Sequence, residues 1–175
     1  MRNQRLRRIS LAAALAVLCL PTLIGAQSTS YLRPDHKAVV ENWLKGRSDL
    51  RLATEADNKN KEGLAGTRQD RGRNYQPYYA VGDFNGDRKE DFAVVLVKKR
   101  RSGWPFVVAI FNGPIGQNAK PTFSVDEDLS DGGIFYNPKS PASQFRLAIG
   151  PFESDNCFIL RPRGRTYVVR PCLSE

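Results

Sequence analysis

The sequence predicts an α+β domain, a mainly antiparallel sheet of about seven strands with one or two N-terminal helices packed on it. Three observations predict it. A helical apolar spacing comes early in the chain, strand-length apolar runs separated by turn residues fill the rest, and two of those runs are apolar at both parities, as strands covered on both faces are.

Residues 1–26 read as a signal peptide rather than as part of the fold. Arg2, Arg5, Arg7 and Arg8 precede an uncharged run from Ile9 to Ala26, the layout of an export signal. Pro21 interrupts the run short of the ~20 apolar residues that a spanning helix needs. Gly25 and Ala26 offer a small-residue cleavage point before Gln27. An uncleaved membrane anchor is the competing reading. Removal leaves residues 27–175, a length suited to a single domain. The signal carries four arginines and no acid, so its loss lowers the net charge from +9 to +5. A balance that moderate in an exported chain argues against nucleic acid and leaves a weak attraction to anionic envelope polymers. The expected location is the periplasm or the extracellular medium.

The first helix is expected over Pro34 to Gly46. Ala38, Val39, Trp43 and Leu44 recur at helical spacing, Pro34 suits a first turn and Gly46 a stop. Residues 47–74 are polar and are expected to be a mobile segment, with a weak helix over Asp57 to Arg68 and then a basic glycine-containing stretch holding Arg71 and Arg73. Strand signals begin at Tyr78: YYAVGDF, EDFAVVLVKK, PFVVAIFNG, PTFSV and FRLAIGPF. EDFAVVLV and FVVAIF are the runs apolar at both parities, and the helix is the expected cover for one side.

The last two strands form a hairpin. Gly164-Arg165 is a Gly-X pair suited to a type II′ turn, and in that register Cys157 lies opposite Cys172. Alternation puts Phe158, Leu160, Tyr167 and Val169 on the core face, with the cysteines, Arg161, Arg163 and Arg170 on the other. Cys19 leaves with the signal, so an even pair remains in an oxidising compartment, and a Cys157–Cys172 disulfide is expected. Two free thiols are the alternative; a zinc site is weak, because two cysteines and the lone His36 do not complete four ligands.

One motif carries specific chemistry. In Asp83-Phe-Asn85-Gly-Asp87-Arg-Lys89-Glu-Asp91, oxygen donors recur at every second residue between two strands. Ca²⁺ takes six to eight oxygens, which such an array supplies with a backbone carbonyl such as that of Lys89. Gly86 permits the tight curvature. Carboxylates packed this closely repel one another without a cation, and the lack of sulfur or imidazole argues against zinc or copper. The competing reading is a plain polar turn, since Asp, Asn and Gly are the usual turn formers.

GDFNGDRKEDFAVV resembles the calcium-binding loop of the FG-GAP or VCBS family, known from integrin α-subunit propellers and bacterial secreted proteins. The resemblance covers about twenty residues in a single copy, and the whole chain looks like small exported bacterial proteins with one such loop. It implies Asp83, Asn85, Asp87 and Asp91 as side-chain ligands, the Lys89 carbonyl as a fifth donor and Ca²⁺ as the cofactor. Arg88 departs from the family pattern, which has glycine there, and this predicts a strained loop or weakened binding. An EF-hand is excluded because its twelfth position is Val94, where a bidentate Glu is required. A propeller is excluded because its four to eight blades need more chain.

Catalytic motifs are absent from the sequence: there is no G-x-S-x-G, H-E-x-x-H or P-loop. His36 reads as a solvated or packing residue. Glu153, Asp155 and the run Asp126-Glu127-Asp128 are the carboxylates open to a glycosidase-type role. Lys98, Lys99, Arg100 and Arg101 form a charged hairpin tip. Joined by Arg161, Arg163 and Arg165 and by the rings of Trp104 and Tyr136, that tip would be a patch for an anionic glycan, a lipid headgroup or an acidic envelope protein. Two functions follow: an exported calcium-binding, noncatalytic interaction or structural module, and a small extracellular hydrolase using carboxylates at a site the sequence does not identify.

Overall fold

The computed structural model describes residues 31–100, 103–144 and 146–172, so the expected signal segment and Arg101 lie outside the described residues. Helix α1 spans Pro34–Leu44 and α2 spans Lys61–Arg71. Nine strands follow the chain among these residues: β1 Leu50–Leu52, β2 Tyr79–Gly82, β3 Asp91–Lys98, β4 Phe106–Phe111, β5 Phe123–Glu127, β6 Gly132–Tyr136, β7 Leu147–Pro151, β8 Phe158–Arg163 and β9 Thr166–Pro171. The α+β class holds, with more strands than the seven expected.

The strands form two antiparallel sheets rather than one. In the first, β3 pairs with β4, β4 with β5, and both β1 and β2 lie along the other edge of β3; the second runs β6-β7-β8-β9. The chain passes between them at residues 128–131, just before Gly132-Gly133. A Cβ on Gly133 would lie 2.6 Å from the Tyr75 hydroxyl and 2.8 Å from Pro77 O, so only glycine lets β6 approach the segment leading into β2.

This arrangement explains the doubly apolar strands. One parity of β3 and β4 (Phe92, Val94, Leu96, Val107, Ala109, Phe111) packs with Val39 and Val40 of α1. The other parity (Ala93, Val95, Phe106, Val108, Ile110) packs with Ile134, Leu147, Ile149, Leu160 and Tyr167 of the second sheet. One side is therefore covered by the expected helix and the other by a second sheet. Burying a side chain of this size contributes about 1.5–3 kcal/mol, so these facing layers are the main source of stability.

Residues 47–74 carry β1, a single 3₁₀ turn at Glu55–Asp57 and α2. The helix starts later than the Asp57 expected for it, because Asn60 is the residue that caps it, its side chain accepting from Gly63 N at 2.7 Å. It also runs on past Arg68, its expected end, through Arg71, which was expected in a loop. Arg68 is held by Glu55, 2.7 Å away, and Arg71 lies over the Phe135 ring, 4.9 Å from its centroid.

The final hairpin matches its expected register: Arg163 pairs with Thr166, Leu160 with Val169 and Phe158 with Pro171. Gly164 has φ +62, and Arg165 is not among the positive-φ residues, as a type II′ turn requires. Leu160 and Tyr167 are buried, with Phe158 and Val169 packed beside them. Cys157 and Cys172 form a disulfide with a Cα separation of 5.1 Å. Among the described residues, no helix is long and apolar enough to cross a membrane.

Candidate metal centre

Residues 83–91 join β2 to β3, and three parts of the chain meet there. The loop packs on Gly113, whose peptide bond to Pro114 is cis, and on the segment between β6 and β7. A Cβ added at Gly113 would lie 2.5 Å from Glu90 O, and one at Gly86 would lie 3.2 Å from the Ala142 side chain.

Asp91 is the anchor. It has no exposed surface, and its carboxylate accepts from three backbone amides: Phe84 N at 2.8 Å and Asn85 N at 3.4 Å on Oδ2, and Gly113 N at 2.8 Å on Oδ1. Burial raises its pKa, the three amide hydrogen bonds oppose that shift, and the charge of Asp87 adds to it. Asp83 accepts from Gly86 N at 2.6 Å and Arg88 N at 3.1 Å. Asn85 Oδ1 accepts from Asp87 N, and Asp87 Oδ1 accepts from Lys89 N, both at 2.9 Å. Asp83, Asn85 and Asp87 thus each fold back on an amide two or more residues ahead, an Asx-type arrangement that sets the loop's curvature. Gly86 has φ +83 and Arg88 has φ +65. The strain expected at Arg88 is present, since a side chain in the left-handed region costs roughly 1–2 kcal/mol.

Repulsion among the carboxylates has two remedies within the protein. One is the set of amide dipoles just described. The other is Arg146, whose Nη1 lies 3.6 Å from Asp83 Oδ2 and donates to the Asp83 carbonyl at 2.9 Å, while its Nε donates to Ser140 O at 2.8 Å. The negative field persists despite both. Burial chiefly keeps the Tyr167 phenol protonated, and the charges of Asp91, Asp87 and Asp83 reinforce it. Sequence reasoning missed Arg146, because nothing in the order of residues places position 146 beside position 83.

The donor set suits Ca²⁺ in kind, being all oxygen with a buried carboxylate already in place. Its side chains are not drawn together, however: among the described residues, no three His, Cys, Asp or Glu side chains converge as a metal-holding group. Ligation would require these carboxylates to converge on a shared ion, and Asp87 could keep the Lys89 amide on Oδ1 while offering Oδ2.

The remaining candidates separate. His36 is a packing residue, 1% exposed, stacked on Phe92 at 4.0 Å with Nδ1 2.8 Å from the Tyr79 hydroxyl. Lys98 is paired with Asp126 at 2.6 Å; Lys99, Arg100 and Trp104 are exposed. Arg163 and Arg165 do not join them. Thr166 reaches the Thr122 carbonyl beyond one end of β5, whereas Lys98 pairs with Pro105 at the other end of β4. Tyr136 is likewise distant, packed against Phe84. Glu127 caps Asp128 N and Asp128 caps Ser130 N, so the acidic run serves turns. Glu153 and Asp155 share an open cleft of about 380 Å³ with Asp70 and Arg71, between α2 and the second sheet. Set against family models, curated proteins and solved structures, the chain matches none of them.

Proposed function

We propose that the chain is an exported, calcium-binding, noncatalytic module of the cell envelope or extracellular space, with Ca²⁺ at the 83–91 loop. The observation that carries this reading is the loop's all-oxygen donor set around a preplaced, buried Asp91. Asp83, Asn85, Asp87 and Asp91 would hold the ion through side chains and Lys89 through its carbonyl. The ion would supply positive charge that pins the loop's donors together. The disulfide supports export, since such bonds persist in oxidising compartments. The hairpin tip at Lys99 and Arg100, with exposed Trp104 beside it, is the surface for an anionic glycan, lipid headgroup or acidic envelope protein.

The test is a thermal melt with Ca²⁺ and with chelator. Binding stabilises by RT ln(1 + [L]/Kd), about 2.7 kcal/mol at 100 Kd. With three carboxylates and no bidentate Glu, the affinity belongs to the weak extracellular class, about 10⁻⁴–10⁻³ M. Asp87→Ala abolishes the calcium shift and Glu90→Ala, whose side chain instead meets Arg33, leaves it. Equal shifts in both variants refute the assignment.

A further inference from the structure

We propose that the outward face of the β8-β9 hairpin binds an acidic polysaccharide through Arg161, Arg163 and Arg170. The register fixes that face. Leu160 and Tyr167 are buried toward the first sheet, so alternation turns the opposite parity outward: Ile159 beside Arg170, Arg161 beside Val168 and Arg163 beside Thr166. The Cys157–Cys172 disulfide closes the hairpin at its open end. From Cys157 to Cys172 the chain carries four arginines and no carboxylate, and all four arginines are exposed.

These arginines differ from others in the fold. Arg33, Arg51, Arg68 and Arg146 each meet a carboxylate, and Arg47 and Arg71 lie over aromatic rings. The side chains of Arg161, Arg163, Arg165 and Arg170 have no ion pair, hydrogen bond or ring contact among the described residues. Their mutual repulsion is therefore uncompensated within the protein, and an anionic ligand relieves it. On the β6 side of the same face, Arg71 covers Phe135, and the cleft beside α2 is lined as far as Ala148 and Cys157. That cleft holds Asp70, Glu153 and Asp155, which repel an anion and bound its footprint there.

Side-chain type and spacing select the ligand. Arg163 and Arg161 stand about 7 Å apart along β8, and Arg170 lies a similar distance from Arg161 on the diagonal. A small anion leaves most of this row unengaged, whereas a polymer with repeated acid groups meets all of it and gains by multivalency. The planar guanidinium fork suits carboxylate, and the hairpin uses arginine without lysine. The face also lacks what lipids and proteins use. Its apolar side chains are the half-buried Ile159 and Val168, with no aromatic ring to enter a hydrocarbon layer or to form a dry interface centre. A hydrophilic polyanion is what remains, and export, the part of the proposed function on which this inference rests, removes nucleic acid.

The test is a titration of the purified protein with galacturonate hexamer in chelator, read by calorimetry and by NMR amide shifts. The shifts concentrate on residues 159–170, and binding weakens as salt rises from about 50 to about 300 mM. The galacturonate monomer at equal acid concentration has no measurable effect. Replacing Arg161, Arg163 and Arg170 together by Ser lowers the affinity at least about tenfold with the cooperative melt retained, since three exposed pairs of a few-fold each multiply. Replacing Lys99 and Arg100 by Ser leaves it within about twofold. Should the triple variant fail to fold, the amide shifts on the unaltered protein decide. Shifts centred on residues 98–104, or loss of binding in the Lys99 and Arg100 variant alone, overturn the proposal. So does tighter binding of poly-glutamate, a single-stranded oligonucleotide or phosphatidylglycerol vesicles at matched charge. Export is tested separately by fractionation, and a cytosolic chain overturns that reading without changing what the face binds in the titration.

Discussion

Asp91→Ala should destabilise the protein by about 3 kcal/mol even when no calcium is present. The side chain is fully buried and accepts from three amides, two of them at 2.8 Å. A buried donor left unpaired costs roughly 1–3 kcal/mol, so the two short bonds alone imply about 2–6 kcal/mol. Burial of the carboxylate is itself unfavourable, as its raised pKa records, and its removal returns part of that loss, which places the expectation near the lower half of the range. Asp91→Asn keeps one acceptor and should lose less. Glu90→Ala, an exposed residue whose partner is Arg33 at 2.6 Å, should cost under about 1 kcal/mol. The assay is urea unfolding of all three variants in excess chelator. If Asp91→Ala lost less than about 1 kcal/mol there, and showed its deficit only with Ca²⁺, Asp91 would be a metal ligand alone and the amide-anchor reasoning would fail.

Two further outcomes follow from the same region. Burial, and then the charge of Arg33, lowers the His36 pKa below its ordinary 6.5, with Asp35 and Glu90 opposing. The unfolded chain therefore takes up a proton that the fold resists, so stability falls as pH drops through 6.5 and levels off below the folded pKa; melts at about pH 7.5 and about pH 5.5 should differ less in His36→Gln than in the parent. Arg88→Gly relieves a left-handed φ of 65 and should raise the melting point, adding about 0.5–1 kcal/mol net of glycine's greater freedom when unfolded; a lower melting point would show that the strain reading is wrong.

The strands that sequence reveals are those whose pattern is self-sufficient. β3 and β4 announce themselves by unbroken apolar runs, and the β8-β9 hairpin by Gly164 and the parity of its cysteines. β1 and β6 do not. Leu50–Leu52 is three residues long and is held by β3, 44 to 48 positions away. Gly132–Tyr136 opens on two glycines, which ordinarily weaken a strand and are needed here for close approach. The division into two sheets was hidden for a related reason: a strand covered by a helix and a strand covered by another sheet have the same apolar pattern. At the loop, the donor order and the strain at Arg88 are local and legible. Arg146 and the capping amide of Gly113 both depend on contacts distant in sequence.

Arg146 reaches two carbonyls that belong to different sheets' loops, Asp83 O and Ser140 O. The turn after β2 and the turn after β6 are thereby a single joint with a guanidinium as its pin. Change in one turn is then not free of the other. A relative that lengthened residues 137–146 would have to re-site the pin or give up the 83–91 geometry, so the lengths of these two turns should covary. The hairpin tip between β3 and β4, whose described residues have no such tie to the second sheet, should vary in length on its own.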